Sequence, residues 1–235
     1  MSQPVQPTVK AARIAGGLYL LLTVTSLFAF IYIGTLIVSG DAAATASNIL
    51  ASETLFRISI LVELAASIVF IFLVMTLYRL LSGVDKGYAS LMVAFVLVSI
   101  PISFLQGLMQ IAAVQLIHGA SSLSVFNQNQ LNALALYFLN LGKVSAINSI
   151  FFGLWLFPFG ILVYRSGFIP RIFGILLFVN GSAYLANCFV YLVLPAYVNA
   201  ALPVLTVFYL VGEPPMVVWL LIKGVRFRSL TARIP

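Results

Sequence analysis

Six apolar stretches, each long enough to cross a lipid bilayer, occupy most of this sequence. A membrane-spanning helix needs roughly 20 mostly apolar residues, and short polar, glycine-containing or proline-containing breaks separate the six stretches here. The chain is 63% hydrophobic and 7% charged, and a water-soluble domain of this size needs more polar side chains to cover its surface. The sequence therefore predicts an all-α fold, a polytopic membrane helix bundle that forms one integral membrane domain over residues 1–235. The predicted transmembrane helices are residues 14–38, 56–81, 88–117, 143–164, 172–194 and 203–222.

The first apolar stretch is too long for the core of a signal peptide, which has about 7 to 15 apolar residues. We therefore expect it to be retained as the first transmembrane helix. The small residues at positions 42–44 leave cleavage open as the alternative, and cleavage there would leave five spans.

The loops after the first and third spans are long enough to contain helices of their own. Residues 41–52 are rich in alanine and begin with Asp41, a residue type that caps helix N-termini. Residues 128–140 resume an apolar pattern before the fourth span. We expect a short outer helix in each of these loops, with an extension of the fourth span as the alternative in loop three.

Basic residues cluster at the ends of the predicted spans, and most of them lie on one side under a six-span arrangement. Lysine and arginine near spans are usually retained on the cytoplasmic side. The sequence predicts a multi-pass protein of the cell (inner) membrane with both termini cytoplasmic. Its net charge of +7 is then explained by topology and by contact with membrane lipid, with no nucleic acid as a partner. Ten of the twelve basic residues fall on the cytoplasmic side: Lys10, Arg13, Arg79, Lys86, Arg165, Arg171, Lys223, Arg226, Arg228 and Arg233.

Charged side chains within the spans are candidate ligand-binding residues, because burying a charge in lipid is costly. Glu213 is predicted near mid-membrane, Glu63 in the outer half, and Lys143 near the outer boundary, where Arg57 also lies. These depths predict a polar cavity that faces outward. In the structural alternative, Glu63 pairs with Lys143 or Arg57, or is protonated, and Lys143 extends to the lipid headgroups.

The sequence Gly212-Glu213-Pro214-Pro215 predicts an interrupted helix. The two prolines lack amide donors and disfavour helical geometry in the preceding residue. Interrupted spans at mid-depth bind substrates or ions in transporters. The alternative is a kink whose glutamate is neutral and hydrogen-bonded to a neighbouring span.

Two spans carry rows of polar side chains. Gln106 and Gln110 are four residues apart in the third span and share a helix face. Asn180, Tyr184 and Asn187 have similar spacing in the fifth span. Such rows line a pore or a headgroup pocket, or they form hydrogen bonds between helices.

The sequence predicts no catalytic residues, no metal site and no cofactor. His118 is the only histidine and Cys188 the only cysteine, so a His-rich, Cys-based or haem site cannot be assembled. No nucleotide-binding loop or zinc-ligand spacing occurs. A membrane enzyme that uses Glu63 or Glu213 as an acid or base ranks last among the functions considered.

Several segments together resemble a family of bacterial and archaeal multi-pass membrane proteins known only as a domain of unknown function, DUF4386. The segments cover most of the chain. The resemblance implies a helical membrane protein and carries no established activity, substrate or site residue. The segments are GDAAATA at 40–46, NILASE at 48–53, LFR at 55–57, FFGL at 151–154, YRSGFIPRI at 164–172 and GE at 212–213.

We therefore predict an integral membrane protein that binds or transports a small molecule, lipid or ion through an outward-facing polar cavity. The alternative is a structural, sensory or accessory membrane protein that acts through protein partners. The oligomeric state stays open. The candidate ligand-binding residues are Glu63, Lys143, Glu213, Gln106, Gln110 and Arg57.

Overall fold

A computed structural model describes residues 8–119, 123–142 and 145–225 of the chain. Within these ranges the regular structure is helical and contains no strand. A 3₁₀ turn, Pro195–Tyr197, lies between Leu194 and Val198. The α-helices are α1 (Val9–Leu36), α2 (Ala42–Ala51), α3 (Glu53–Leu81), α4 (Lys86–His118), α5 (Gln128–Gly142), α6 (Ser145–Leu154), α7 (Leu156–Ser166), α8 (Arg171–Val193), α9 (Val198–Gly212) and α10 (Pro214–Ile222).

Six helical segments of the described chain are long and apolar enough to cross a membrane, so the prediction of a six-span helical membrane protein is confirmed. The fourth segment contains α7 and most of α6, and the sixth joins the 3₁₀ turn, α9 and α10. The chain is therefore a multi-pass membrane protein. The segments are Val9–Leu36, Glu53–Leu81, Lys86–His118, Ile147–Ser166, Arg171–Val193 and Pro195–Ile222.

The short helices predicted in loops one and three are α2 and α5. Asp41 caps α2 as expected, because its carboxylate Oδ1 accepts a hydrogen bond of 2.9 Å from the backbone N–H of Ala44. Helix α5 is a separate helix that ends at Gly142.

The chain forms two compact units. The first contains Met1–Leu20, Ile71–Leu97 and Ser149–Pro235, and the second contains Leu21–Phe70 and Val98–Asn148. The prediction of one domain over residues 1–235 stays a prediction.

In the first unit, α8 packs closely against α6 and α7 through two pairs of glycines. A Cβ atom added to Gly153 would lie 2.7 Å from the carbonyl oxygen of Gly181, and one added to Gly160 would lie 2.9 Å from that of Gly174. Gly153 and Gly160 are seven residues apart, and so are their partners Gly181 and Gly174. Because the partners occur in the reverse order along the chain, α8 runs antiparallel to α6 and α7. Glycine permits this backbone contact because it has no Cβ, a common way of packing helices in membranes.

The start of α1 makes a second close contact in the first unit. A Cβ at Gly16 would lie 2.7 Å from the backbone nitrogen of Leu221 in α10. Tyr19, one turn after Gly16, is 1% exposed. Because residues three apart share a helix face, the contact at Gly16 places the Tyr19 side chain against the last span.

The core of the second unit lies where α2 and α5 cover parts of α3 and α4. Its side chains are buried and almost entirely aliphatic, so apolar burial stabilises this end of the two helices. The core residues are Ala46, Ile49, Phe56, Ile60, Ala113, Val114, Leu116, Ile117, Leu131, Ala135 and Leu139.

Candidate carboxyl sites in the two units

The last span is interrupted at Glu213, as the sequence predicts. Helix α9 ends at Gly212 and α10 begins at Pro214. Pro214 and Pro215 have no N–H, so the helical bonds to the carbonyls of Leu210 and Val211 cannot form. Helical structure resumes directly after the break, because the Glu213 carbonyl accepts hydrogen bonds from the backbone N–H groups of Met216 and Val217.

The Glu213 carboxylate is held by uncharged hydrogen-bonding side chains of α1 and α8. The Tyr19 hydroxyl donates to Oε2, and the Asn180 amide Nδ2 donates to Oε1 at 2.8 Å. Tyr184 lies four residues after Asn180 on the same face of α8, close to this carboxylate. Among the described residues no cationic side chain forms an ion pair with Glu213.

Two buried oxygen atoms in the first unit have no hydrogen-bond partner among the described residues. One is Oδ1 of Asn180, whose residue is 0% exposed, and the other is the hydroxyl oxygen of Tyr209. The Tyr209 ring stacks on Tyr184 at 4.5 Å between ring centroids. Buried polar atoms are nearly always hydrogen-bonded. The Asn180 Oδ1, next to the Glu213 carboxyl, can therefore accept a donor or a cation that the described residues do not supply.

Trp155 and Phe159 form an aromatic stack next to Tyr19. The Tyr19 and Trp155 rings lie 6.0 Å apart, and Trp155 stacks on Phe159 at 5.3 Å. Trp155 stands at the junction of α6 and α7 and is 2% exposed. This stack contributes to the burial of Tyr19, which is 1% exposed.

In the second unit, Glu63 and Gln110 form a hydrogen-bonded pair between α3 and α4. The Gln110 Nε2 donates to Oε2 of the partly buried Glu63 at 3.1 Å. Gln110 is 4% exposed, and its Oε1 has no partner among the described residues. Gln106 lies one turn earlier on α4, partly buried, and takes no part in this hydrogen bond.

Arg57 pairs with Glu53 rather than with Glu63. Its Nε donates to Glu53 Oε1 at 2.7 Å, and the other carboxylate oxygen lies 2.8 Å from Nε2 of His118. This exposed cluster lies beside an open groove of about 200 Å³. Arg57 and five aliphatic residues line the groove: Ile60, Leu61, Leu64, Ile111 and Val114.

The structure thus brings together some of the predicted site residues. Glu63, Gln106, Gln110 and Arg57 belong to the second unit and Glu213 to the first, so a cavity bordered by all of them stays a prediction. Lys143 lies outside the described residues, as do Arg226, Arg228 and Arg233 of the predicted cytoplasmic side. In the described chain no group of three or more His, Cys, Asp or Glu side chains could hold a metal ion.

Sequence reasoning missed two members of the Glu213 site. Tyr19 lies in an apolar stretch, where a tyrosine is more often a core residue. Tyr209 lies four residues before Glu213, and this helical spacing was a signal that could have indicated it. Asn180 and Tyr184 were predicted to share a face with Asn187, whose Nδ2 instead donates to Ser149 Oγ at 3.4 Å. That contact is one of the hydrogen bonds between helices expected as the alternative.

The family described as "Domain of unknown function (DUF4386)" matches residues 14–224. The chain belongs to this family. No curated protein and no solved structure matches the chain. Because the DUF4386 description assigns no activity, the function of this DUF4386 protein is inferred from the two carboxyl sites.

Proposed function

We propose that this DUF4386 protein binds a small monovalent cation within the membrane and transports it, with Glu213 at the binding site. One observation carries the proposal. The Glu213 carboxylate accepts hydrogen bonds from neutral groups, while the buried Oδ1 of Asn180 beside it has no donor.

The charge balance of the site favours a cation. Hydrogen bonds donated by Tyr19 and Asn180 favour the ionised form of the Glu213 carboxyl. An ionised carboxylate in a low-dielectric interior still needs a compensating positive charge. Neither donor supplies that charge, so a bound cation is the counter-ion that we propose.

The oxygen atoms at the site are suitable ligands for such a cation. The Asn180 Oδ1 and the Tyr209 hydroxyl oxygen are buried acceptors without partners in the described chain. The two carbonyls that lose their helical donors to Pro214 and Pro215 add backbone oxygens near the break. Backbone carbonyls that have lost their helical donors can coordinate monovalent ions, as in interrupted transporter helices.

Thermal unfolding of the full chain in detergent tests binding. The protein is compared in NaCl, KCl and N-methylglucamine chloride at one ionic strength. At a cation concentration ten times Kd, binding stabilises the folded state by about 1.4 kcal/mol. For a chain of this length that raises the Tm by roughly 3–6 °C.

The Glu213→Gln variant should lose this cation-dependent rise in Tm and the uptake of labelled cation into proteoliposomes. Glu53→Gln is the matched control, because it removes an exposed carboxyl group of the second unit. Equal cation dependence in Glu213→Gln and Glu53→Gln would refute the proposal.

The alternative role, a structural or accessory protein that acts through protein partners, predicts a different result. If the Glu213 network only links α1, α8 and the last span, Glu213→Gln lowers the Tm by the same amount in every salt. The wild-type protein then shows no dependence on the cation at all.

We also propose that the protein lies in the cell (inner) membrane with both termini cytoplasmic, in contact with its lipid. The distribution of basic residues supports this orientation.

Cysteine labelling tests the orientation. Cys188 is the only cysteine and is buried, so the Cys188→Ala variant provides a cysteine-free background for mapping. In intact cells, an impermeant maleimide should label Val125→Cys, in loop three, and should label Ser2→Cys only after permeabilisation. Labelling of both positions in intact cells contradicts the proposed orientation.

A further inference from the structure

We infer that Glu63 and Gln110 form a proton-binding acid–amide pair, a site separate from the one proposed at Glu213. The two side chains meet between α3 and α4 in the second unit, where Gln110 Nε2 lies 3.1 Å from Glu63 Oε2. Gln110 is 4% exposed, yet its Oε1 has no partner in the described chain. This unpaired acceptor is the observation that points to a ligand.

A proton on Glu63 supplies the donor that Gln110 lacks. An ionised carboxylate only accepts hydrogen bonds, whereas a protonated one also has an O–H group. A carboxylic acid and a primary amide can then exchange two hydrogen bonds, N–H to the acid carbonyl and O–H to the amide oxygen. The proton comes from a hydronium ion, which leaves as water, so the carboxylate becomes a neutral acid.

The carboxyl group of Glu63 differs from that of Glu213 in the donors it receives. Ser67, one turn later on α3, donates to the backbone carbonyl of Glu63 at 3.2 Å rather than to its carboxyl group. Gln110 therefore contributes the one hydrogen bond to this carboxyl that the described structure contains. A single neutral donor stabilises the ionised form less than several donors do.

The other charged side chains that the structure describes in the second unit have partners of their own. Arg57 and His118 both contact the Glu53 carboxylate, and Asp41 accepts from a backbone amide of α2. Helices α2 and α5 contain no charged residue. In residues 21–70, 98–119, 123–142 and 145–148, the remaining titratable side chains are Tyr32 and Tyr137. None of these groups is a cation paired with Glu63, so a proton is the charge that neutralises it.

A larger cation has little room at the α3–α4 contact one turn before Gln110, and the neighbouring groove offers it Arg57 and aliphatic side chains rather than oxygen ligands. A Cβ added to Gly107 of α4 would lie 3.1 Å from Leu64 Cδ2 and 3.8 Å from Ile60 Cγ2 of α3. The two helices therefore approach closely one turn before Gln110. A proton needs no cavity of its own, which makes it the ligand that fits this contact.

Infrared difference spectra of the full protein, recorded between alkaline and acid pH, test the site. The wild-type protein should show the C=O stretching band of a protonated carboxyl group. Glu63→Gln should abolish that band, while Glu213→Gln and Glu53→Gln should retain it. This pattern separates the inference from the function proposed at Glu213.

Gln110→Met tests whether the amide is the partner. Loss of the N–H donor should move the C=O band to higher frequency, because the acid carbonyl is then no longer hydrogen-bonded. Glu63→Gln should also remove the pH dependence of Tm that the pair contributes, since two amides mimic the neutral acid–amide pair at every pH.

Three outcomes overturn the inference: a wild-type spectrum without the band, a band that persists in Glu63→Gln, or a band that Gln110→Met leaves unchanged. Lys143→Met is the remaining check. If this change creates a carboxyl band that the wild-type protein lacks, the lysine was the counter-ion and Glu63 is ionised.

Discussion

Replacing Gly212 by alanine should disrupt the Glu213 site through Asn180. A Cβ at position 212 would lie 2.3 Å from Asn180 Cβ, 2.6 Å from Cγ and 2.8 Å from Nδ2. These distances are well below van der Waals contact, and Asn180 is 0% exposed. Its neighbour Gly181 is already in contact with the backbone of Gly153, so α8 has little freedom to move.

The expected loss has two parts. Overpacking of a filled interior costs about 1–3 kcal/mol, and loss of the N–H bond from Asn180 to a charged carboxylate costs about 1.5–3 kcal/mol. Together they predict a loss of about 2.5–6 kcal/mol, which lowers the Tm by at least roughly 5 °C for a chain of this length.

The reactivity of Cys188 with a maleimide dye during heating measures this unfolding, because the thiol lies in α8 and its residue is 5% exposed. Gly17→Ala is the control, since a Cβ there meets nothing within 4 Å. The double variant Gly212→Ala with Asn180→Gly should be less destabilised than the sum of the two single changes, because it removes the overlapping atoms. A Gly212→Ala protein that unfolds within about 2 °C of Gly17→Ala would refute this reasoning.

Three smaller predictions follow from the packing and the caps. Gly160→Ala should lower stability by about 1–3 kcal/mol, seen as a lower Tm, because the new Cβ would lie 2.9 Å from the Gly174 carbonyl oxygen. An unchanged Tm would show that the two helices can move apart to accommodate the methyl group. Asp41→Ala should cost about 1 kcal/mol of local stability, measured as faster hydrogen exchange at the amide of Ala44 that it caps; unchanged exchange contradicts the capping role. Glu53→Gln should leave the Tm almost unchanged, because water and salt screen its ion pair with Arg57 at the surface. A Tm clearly below that of the wild-type protein would disqualify it as a control.

The fold could be predicted from the sequence because lipid imposes simple requirements. A span must be long, apolar and helical, so hydropathy and length alone locate the six segments. Helix caps and breaks could also be predicted, because they depend on residues that are close in the sequence. Asp41 caps α2 through a residue three positions away, and two prolines interrupt the helix directly after Glu213.

The candidate sites could be predicted only in part, because their partners come from distant positions. Glu213 and the row containing Asn180 were both recognisable, but the contact between them spans 33 residues. Tyr19 joins the site from 194 residues away, and its position depends on the contact of Gly16 with α10. Likewise, spacing places Gln106 and Gln110 on one face of α4, and the crossing of α3 and α4 at Gly107 selects Gln110.

Glu63 and Glu213 each accept a hydrogen bond from a side-chain amide, but Glu213 accepts additional donors. For this reason the Glu→Gln substitution should have different effects at the two positions. Each is bonded by an amide whose oxygen has no donor, Glu63 by Gln110 and Glu213 by Asn180. At position 63, glutamine resembles the neutral acid and can bond both atoms of the Gln110 amide. At position 213, Tyr19 donates to one carboxylate oxygen and Asn180 Nδ2 donates to the other. An amide N–H₂ on either side would require the tyrosine hydroxyl to accept instead of donate, or the Asn180 amide to turn over. Glu213→Gln should therefore lower the Tm measurably at neutral pH while Glu63→Gln does not, and equal losses would show that the Glu213 carboxyl is also neutral in the folded protein.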